Sequence, residues 1–120
     1  MSSQRIHRIG DLLRKEISDI IRLRMKDPRL GFVTITSVEV SQDFRHAKVH
    51  VASPGSREEL SSSVALLSGA SGFIRGELFK RVTLRYIPEL VFKPDSSIEH
   101  SVRISQILKE LEDEAHGRES

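Results

Sequence analysis

Cysteine is absent from this 120-residue chain. That removes disulfides, thiolate metal sites and cysteine nucleophiles together, and it is compatible with a reducing cytosol. Long apolar runs are missing too; the longest are a few residues, against the roughly 20 that a membrane span requires. The N-terminus has no apolar stretch of the signal-peptide kind. It is amphipathic and arginine-rich, but it carries Asp11, Glu16 and Asp19, unlike an acid-poor transit peptide. The expectation is a cytoplasmic protein with no membrane partner. A chain of this length buries roughly two-thirds of its unfolded surface, enough for one domain around one core without a metal or disulfide.

The formal net charge is only +2, and its distribution is more informative. Residues 1–93 hold 16 Lys/Arg against 10 Asp/Glu, a net of +6, and residues 94–120 hold 3 against 7, a net of −4. A basic body with an acidic tail suits a polyanionic partner better than a membrane or an acidic metabolite.

Between residues 5 and 26 the apolar positions Ile6, Ile9, Leu13, Ile17 and Ile20 have helical spacing. Arg8, Arg14, Lys15, Arg22, Arg24 and Lys26 lie on the opposite face, and the last of them complement the helix dipole. Asp27-Pro28 ends the helix, because a residue before proline leaves the α region. Residues 32–41 read as a strand whose alternation slips by one, with Val33 and Ile35 odd and Val38 and Val40 even. Such a slip predicts a β-bulge near Thr36-Ser37. After the turn Gln42-Asp43-Phe44-Arg45, Ala47, Val49 and Val51 face inward on a second, antiparallel strand. Ser56 with Glu59 is a capping box opening a helix with Leu60, Val64 and Leu67 on its buried side. Gly69 and Gly72 cost about 1 kcal/mol each in a helix interior relative to alanine, so a break is expected before the pattern resumes with Phe73, Ile74 and Leu78. Residues 82–93 are read as a third strand with Val82, Leu84, Tyr86, Leu90 and Phe92 on one face, and Pro88 at an edge or bulge. A capping box at Ser96 and Glu99 opens a last helix. The predicted order is α-β-β-α-(kink)-α-β-α, an α+β domain over 1–110 with helices on one face of a three-stranded sheet. Residues 111–120 form an acidic tail, expected to be disordered.

Candidate catalytic groups are poor. His46 and His50 would sit roughly 13 Å apart on a strand at about 3.3 Å per residue, too far to share a metal. Ser41, Asp43 and His46 lie too close in sequence for a nucleophilic triad and lack a G-x-S-x-G elbow. The acidic cluster from Glu110 to Glu114 lacks the spacing and glycine of a calcium loop. No cofactor is implied. Gly69-Ala70-Ser71-Gly72 matches GxxG, the loop with which KH domains clamp a nucleic-acid backbone, but without the basic or polar residues that assist phosphate contact. Phosphate contacts are better assigned to Arg5, Arg8, Arg22, Arg24, Lys26 and Arg29, to Lys48 on the second strand, and to Arg75, Lys80, Arg81 and Arg85. Five Phe and one Tyr are few and most fit apolar faces, so backbone and shape recognition of folded RNA is expected rather than base stacking. Replacing Arg22, Arg24 and Arg29 by Glu is expected to abolish binding and spare the fold. The alternative is a protein-interaction module that binds no RNA.

Asp27-Pro28-Arg29-Leu30-Gly31-Phe32-Val33-Thr34-Ile35 resembles the helix-to-strand segment of the bacterial ribosome-binding factor A family. So do Ala47-Lys48-Val49-His50-Val51, Ala70-Ser71-Gly72-Phe73-Ile74-Arg75 and Leu84-Arg85-Tyr86-Ile87-Pro88-Glu89-Leu90. The opening Arg5-Ile6-His7-Arg8-Ile9 and the stretch Asp95-Ser96-Ser97-Ile98-Glu99 also fit. The resemblance implies a type II KH-like fold in which Ala70-Ser71-Gly72 is an interrupted-helix kink in place of the clamp. It implies no catalytic residues and a monomeric factor in small-subunit maturation. That factor binds the free small subunit and its ribosomal RNA, supports 5′-end processing of the precursor and matters most in the cold. Other assembly factors are candidate partners.

Overall fold

The computed structural model describes residues 3–30, 32–95, 109 and 111. The expected last helix and acidic tail, apart from Lys109 and Leu111, lie outside the described residues. Helix α1 spans Ser3–Arg24 and ends two residues before the expected boundary. Leu13, Ile17 and Ile20 on it are fully buried. Residues Pro28–Leu30 form a short 3-10 turn that sinks Leu30 into the core.

Strands β1 (Thr34–Val40) and β2 (His46–Ala52) pair antiparallel. Their register jumps between Ile35, opposite Val51, and Ser37, opposite His50. Thr36 is therefore the bulged residue, as the phase slip predicts. The bulge returns Ile35 and Val40 to the same buried side, where they meet Ala47, Val49 and Val51. Helix α1 rests directly on this hairpin: a Cβ added at Gly10 would lie 2.5 Å from the Val38 carbonyl oxygen. Only glycine allows so close an approach of helix to strand.

Helix α2 covers Arg57–Gly69, and the Ser56 hydroxyl accepts from the Glu59 amide at 3.1 Å, as the capping box requires. Its buried side holds Leu67 and also Ser63, whose hydroxyl donates to the Leu30 carbonyl. Helix α3 runs Ser71–Arg81. The break between them is one residue wide: Ala70, at φ −96° and ψ 8°, donates to the Leu66 and Leu67 carbonyls and accepts from the Ile74 amide. A Cβ at Gly69 or Gly72 would meet nothing within 4 Å. These glycines do not serve a close helix–helix approach; their effect is to weaken the helix locally.

Strand β3 is Glu89–Pro94, parallel to β2, giving the sheet order β1-β2-β3. The α2–α3 pair supplies the crossover that a parallel connection needs. The expected strand over 82–93 is thus corrected to its second half. Pro88 has no amide to donate, and the Ile87 carbonyl is taken by the Arg75 guanidinium at 2.8 Å. Pairing starts when the Glu89 amide reaches the Arg45 carbonyl at 2.8 Å. Because the backbone before Glu89 is irregular, Ile87 and Pro88 turn inward and Tyr86 turns out. Leu90 and Phe92 complete the core. The sheet's helix-covered face carries the core, and Lys48, Glu39, Glu89, Val91 and Lys93 are exposed on the other. This is the type II KH-like α+β arrangement, αββααβ over the described residues. No described helix is long and apolar enough to cross a membrane.

Candidate nucleic-acid interface

The eleven cations singled out in the sequence fall into two groups once their neighbours are known. Six are engaged inside the protein. Arg24 Nε on α1 and Lys80 Nζ on α3 lie 3.4 and 3.9 Å from the same oxygen of Glu77, a buried carboxylate. Arg81 reaches Glu16 at 3.7 Å, a second link between α3 and α1. Arg75 is directed inward, onto the Ile87 carbonyl, and its Nε is buried without a hydrogen-bond acceptor. Arg22 pairs with Asp19 at 2.9 Å. Arg29 grips Asp27 with two guanidinium nitrogens, at 3.0 and 2.7 Å. That guanidinium holds the Asp27 carboxyl below the usual carboxylate range and raises the Arg29 pKa in return.

The expectation that replacing Arg22, Arg24 and Arg29 by Glu spares the fold therefore fails at Arg24. Its partner is a buried charge, and a carboxylate in its place would leave two acids facing each other.

Arg8, Lys26, Lys48 and Arg85 are exposed and have no ion pair among the described residues. Arg5 lies 6.0 Å from the centre of the Phe44 ring, the outer limit of a cation–π contact. Lys93 and Arg45, not singled out in the sequence, are exposed as well. The outer sheet face is not uniformly basic. Glu39 stands opposite Lys48 in the register, and Glu89 Oε2 lies 3.6 Å from His46 Nε2. Glu39 Oε1 is 3.2 Å from His50 Nε2, though not aligned as a hydrogen bond. Among the described residues, no group of three or more His, Asp or Glu gathers as metal ligands would.

The aromatic side chains are where the sequence reading needs most correction. Phe32 is 85% exposed, Phe79 74%, Tyr86 53% and Phe73 47%; Phe92 alone of the aromatics is buried, with Phe44 partly so. Phe73 and Phe79 sit outside because Ile74 and Leu78 take the inward arc of α3. Depressions that join aromatics to cations include two that lie away from the acidic start of α2. One, of about 710 Å³, is lined by Ile21, Met25 and Phe32 with Arg22 and Lys26. The other, of about 360 Å³, brings Phe44 and Tyr86 together with Arg5 and Arg85.

The model of the family described as ribosome-binding factor A matches residues 5–108. The chain belongs to that family. A ribosome-binding factor A from Halothermothrix orenii is 47% identical over 114 residues, 95% of this chain and 93% of the relative. One from Natranaerobius thermophilus is 50% identical over 111 residues, 92% and 85% of the two chains. The crystal structure of ribosome-binding factor A from Thermus thermophilus superposes with a TM-score of 0.67 at 27% identity, covering 74% of this chain and 94% of that one. A homology model of the Thermus thermophilus factor, as fitted into the cryo-EM map of its 30S complex, gives 0.62 at 27% identity, over 73% and 92%. Family membership thus rests on nearly the whole chain, including the segments whose resemblance is legible in the sequence.

Proposed function

We propose that this chain binds the free small ribosomal subunit through its ribosomal RNA and assists late maturation, including processing of the precursor's 5′ end. It acts as a cytoplasmic monomer and by binding alone, without catalysing a reaction. The observation that carries this reading is the 30S complex of ribosome-binding factor A, into whose map a homology model of the Thermus thermophilus factor, of the same fold, has been fitted. The charge arrangement supports it. Exposed Arg8, Lys26, Lys48 and Arg85 are the contacts available to phosphates without breaking an internal pair. Arg5, Arg22 and Arg29 contribute at the cost of loosening theirs, whereas Arg24, Arg75, Lys80 and Arg81 act mainly within the fold.

The test is co-sedimentation of the purified protein with free small subunits across a salt series. Association should weaken steeply as counterions cease to be released, with a log–log slope of about −0.7 to −0.9 per phosphate contact. Binding indifferent to salt would remove the electrostatic interface. A second reading, a protein-binding surface without RNA, draws on exposed Phe73 and Phe79 of α3. It predicts that association survives nuclease digestion of the subunit RNA.

A further inference from the structure

The cavity between the start of α1, the β1–β2 turn and residues 84–88 joins aromatic surface to two guanidinium groups. Its walls are Phe44, Tyr86, Leu84 and Pro88, and Arg5 and Arg85 stand with them. Among the described residues, no acidic side chain lines it. At about 360 Å³ it lies at the small end of ligand sites, which run roughly 300–1,000 Å³. Tyr86 is about half exposed. Phe44 is the one described non-glycine residue at positive φ, 60°, a conformation that is strained for a bulky side chain. The turn is built to hold it there. The Phe44 amide donates to the Ser41 carbonyl at 2.9 Å. The Ser41 hydroxyl and the Arg45 amide both donate to the Asp43 carboxylate, at 2.6 and 3.1 Å. The opposite wall is fixed by buried Pro88 and by the Glu89 amide bonded to the Arg45 carbonyl.

We propose that this cavity takes the base of one unpaired nucleotide of an RNA strand, stacked on Tyr86 and Phe44, with Arg5 and Arg85 on its flanking phosphates. Aromatic surface beside two guanidiniums is complementary to a flat base carrying an anion. A strand fits better than a free nucleotide because positive charge continues outward on both sides. Arg8 follows Arg5 by one helical turn, and exposed Arg45 follows Phe44. The inference rests on the RNA-binding reading above and adds a single-stranded contact to it.

Tyr86 is the only tyrosine, and the chain has no tryptophan, so tyrosine emission reports this cavity alone. The full chain is titrated with a fluorescently labelled oligoadenylate of about five nucleotides, long enough to span one stacked base and both flanks. Binding is followed by the label's anisotropy and stacking by quenching of Tyr86. Quenching should track anisotropy. Tyr86→Ala should weaken binding by roughly tenfold, within the range for loss of one stacked base, while Tyr86→Phe holds it within about twofold. Arg85→Gln should lower the salt slope by about one contact. Binding without quenching, and with unchanged affinity in Tyr86→Ala, would overturn the cavity but leave RNA binding intact. Failure of the chain to bind either the oligonucleotide or small subunits would remove the underlying reading and the cavity with it. Quenching by adenosine monophosphate as tightly as by the oligomer would make this a free-nucleotide site and overturn the strand proposal.

Discussion

The seam between α1 and α3 and the open end around residues 84–86 are both arginine-rich, yet they spend their charge differently. In the seam, Arg24 and Lys80 converge on buried Glu77, and Arg81 meets Glu16. These cations offset carboxylates that would be costly to bury alone. At the open end, Arg85 stands exposed beside a half-exposed Tyr86, with no carboxylate among the described residues that line the cavity. A positive side chain is most available to a polyanion when the protein has not already used it. Counting basic residues along a chain measures the sum of both uses.

The contrast is broken most severely at the seam. Arg24→Glu should cost about 2–4 kcal/mol, because it sets a second acid against the buried Glu77 carboxylate. Urea denaturation reads this directly, and small-subunit binding should fall only as far as unfolding explains. Gly10→Ala tests the seat that both regions share on α1. Its added methyl would meet the Val38 carbonyl, and displacing α1 from β1 should cost about 1–3 kcal/mol, seen as a lower unfolding midpoint.

A smaller effect comes from pH. The Asp43 carboxyl is held below its usual range, first by the Ser41 hydroxyl and then by the Arg45 amide, and Asp27 is held down by Arg29. Both folded-state values are depressed. Their contribution is therefore fully present above the unfolded carboxylate value of about 4. It is lost as pH falls below that value and through the folded ones. Asp43→Asn should flatten the acid limb of a stability–pH curve, with no change near neutrality in that curve's slope. The smallest change in stability belongs to the free cations. Lys48→Glu with Arg85→Glu should stay within about 0.5 kcal/mol of the parent, although the same variant loses affinity for small subunits in a salt-dependent pull-down.

Local rules carried far along this chain. The phase slip located the bulge at Thr36, Ser56 with Glu59 marked the start of α2, and poor helix formers bracketed the break at Ala70. Each depends on a few consecutive residues. The segment before β3 misled because its period-two pattern continues through backbone that pairs with no described strand. What prevents pairing there is Pro88 together with a hydrogen bond from Arg75, twelve residues earlier. Parallel pairing of β3 with β2 is set by the α2–α3 crossover, a long-range fact with no local signature. The candidate interface was legible in outline only. Arg24 meets Glu77 across 53 positions, so nothing near Arg24 distinguishes it from Arg22. The exposed aromatics were missed for a related reason. An apolar residue next to an apolar face, as Phe73 is to Ile74, can fall on either side of it.

The most direct test sets the two groups against each other on small subunits. The salt slope of association and the unfolding free energy are measured for Lys48→Gln/Arg85→Gln and for Arg24→Gln/Lys80→Gln. Expected is a slope reduced by about one to two contacts with stability kept for the first pair, and lower stability with an unchanged slope for the second. The opposite result, with the seam pair controlling the slope and the exposed pair silent, would contradict this division of labour.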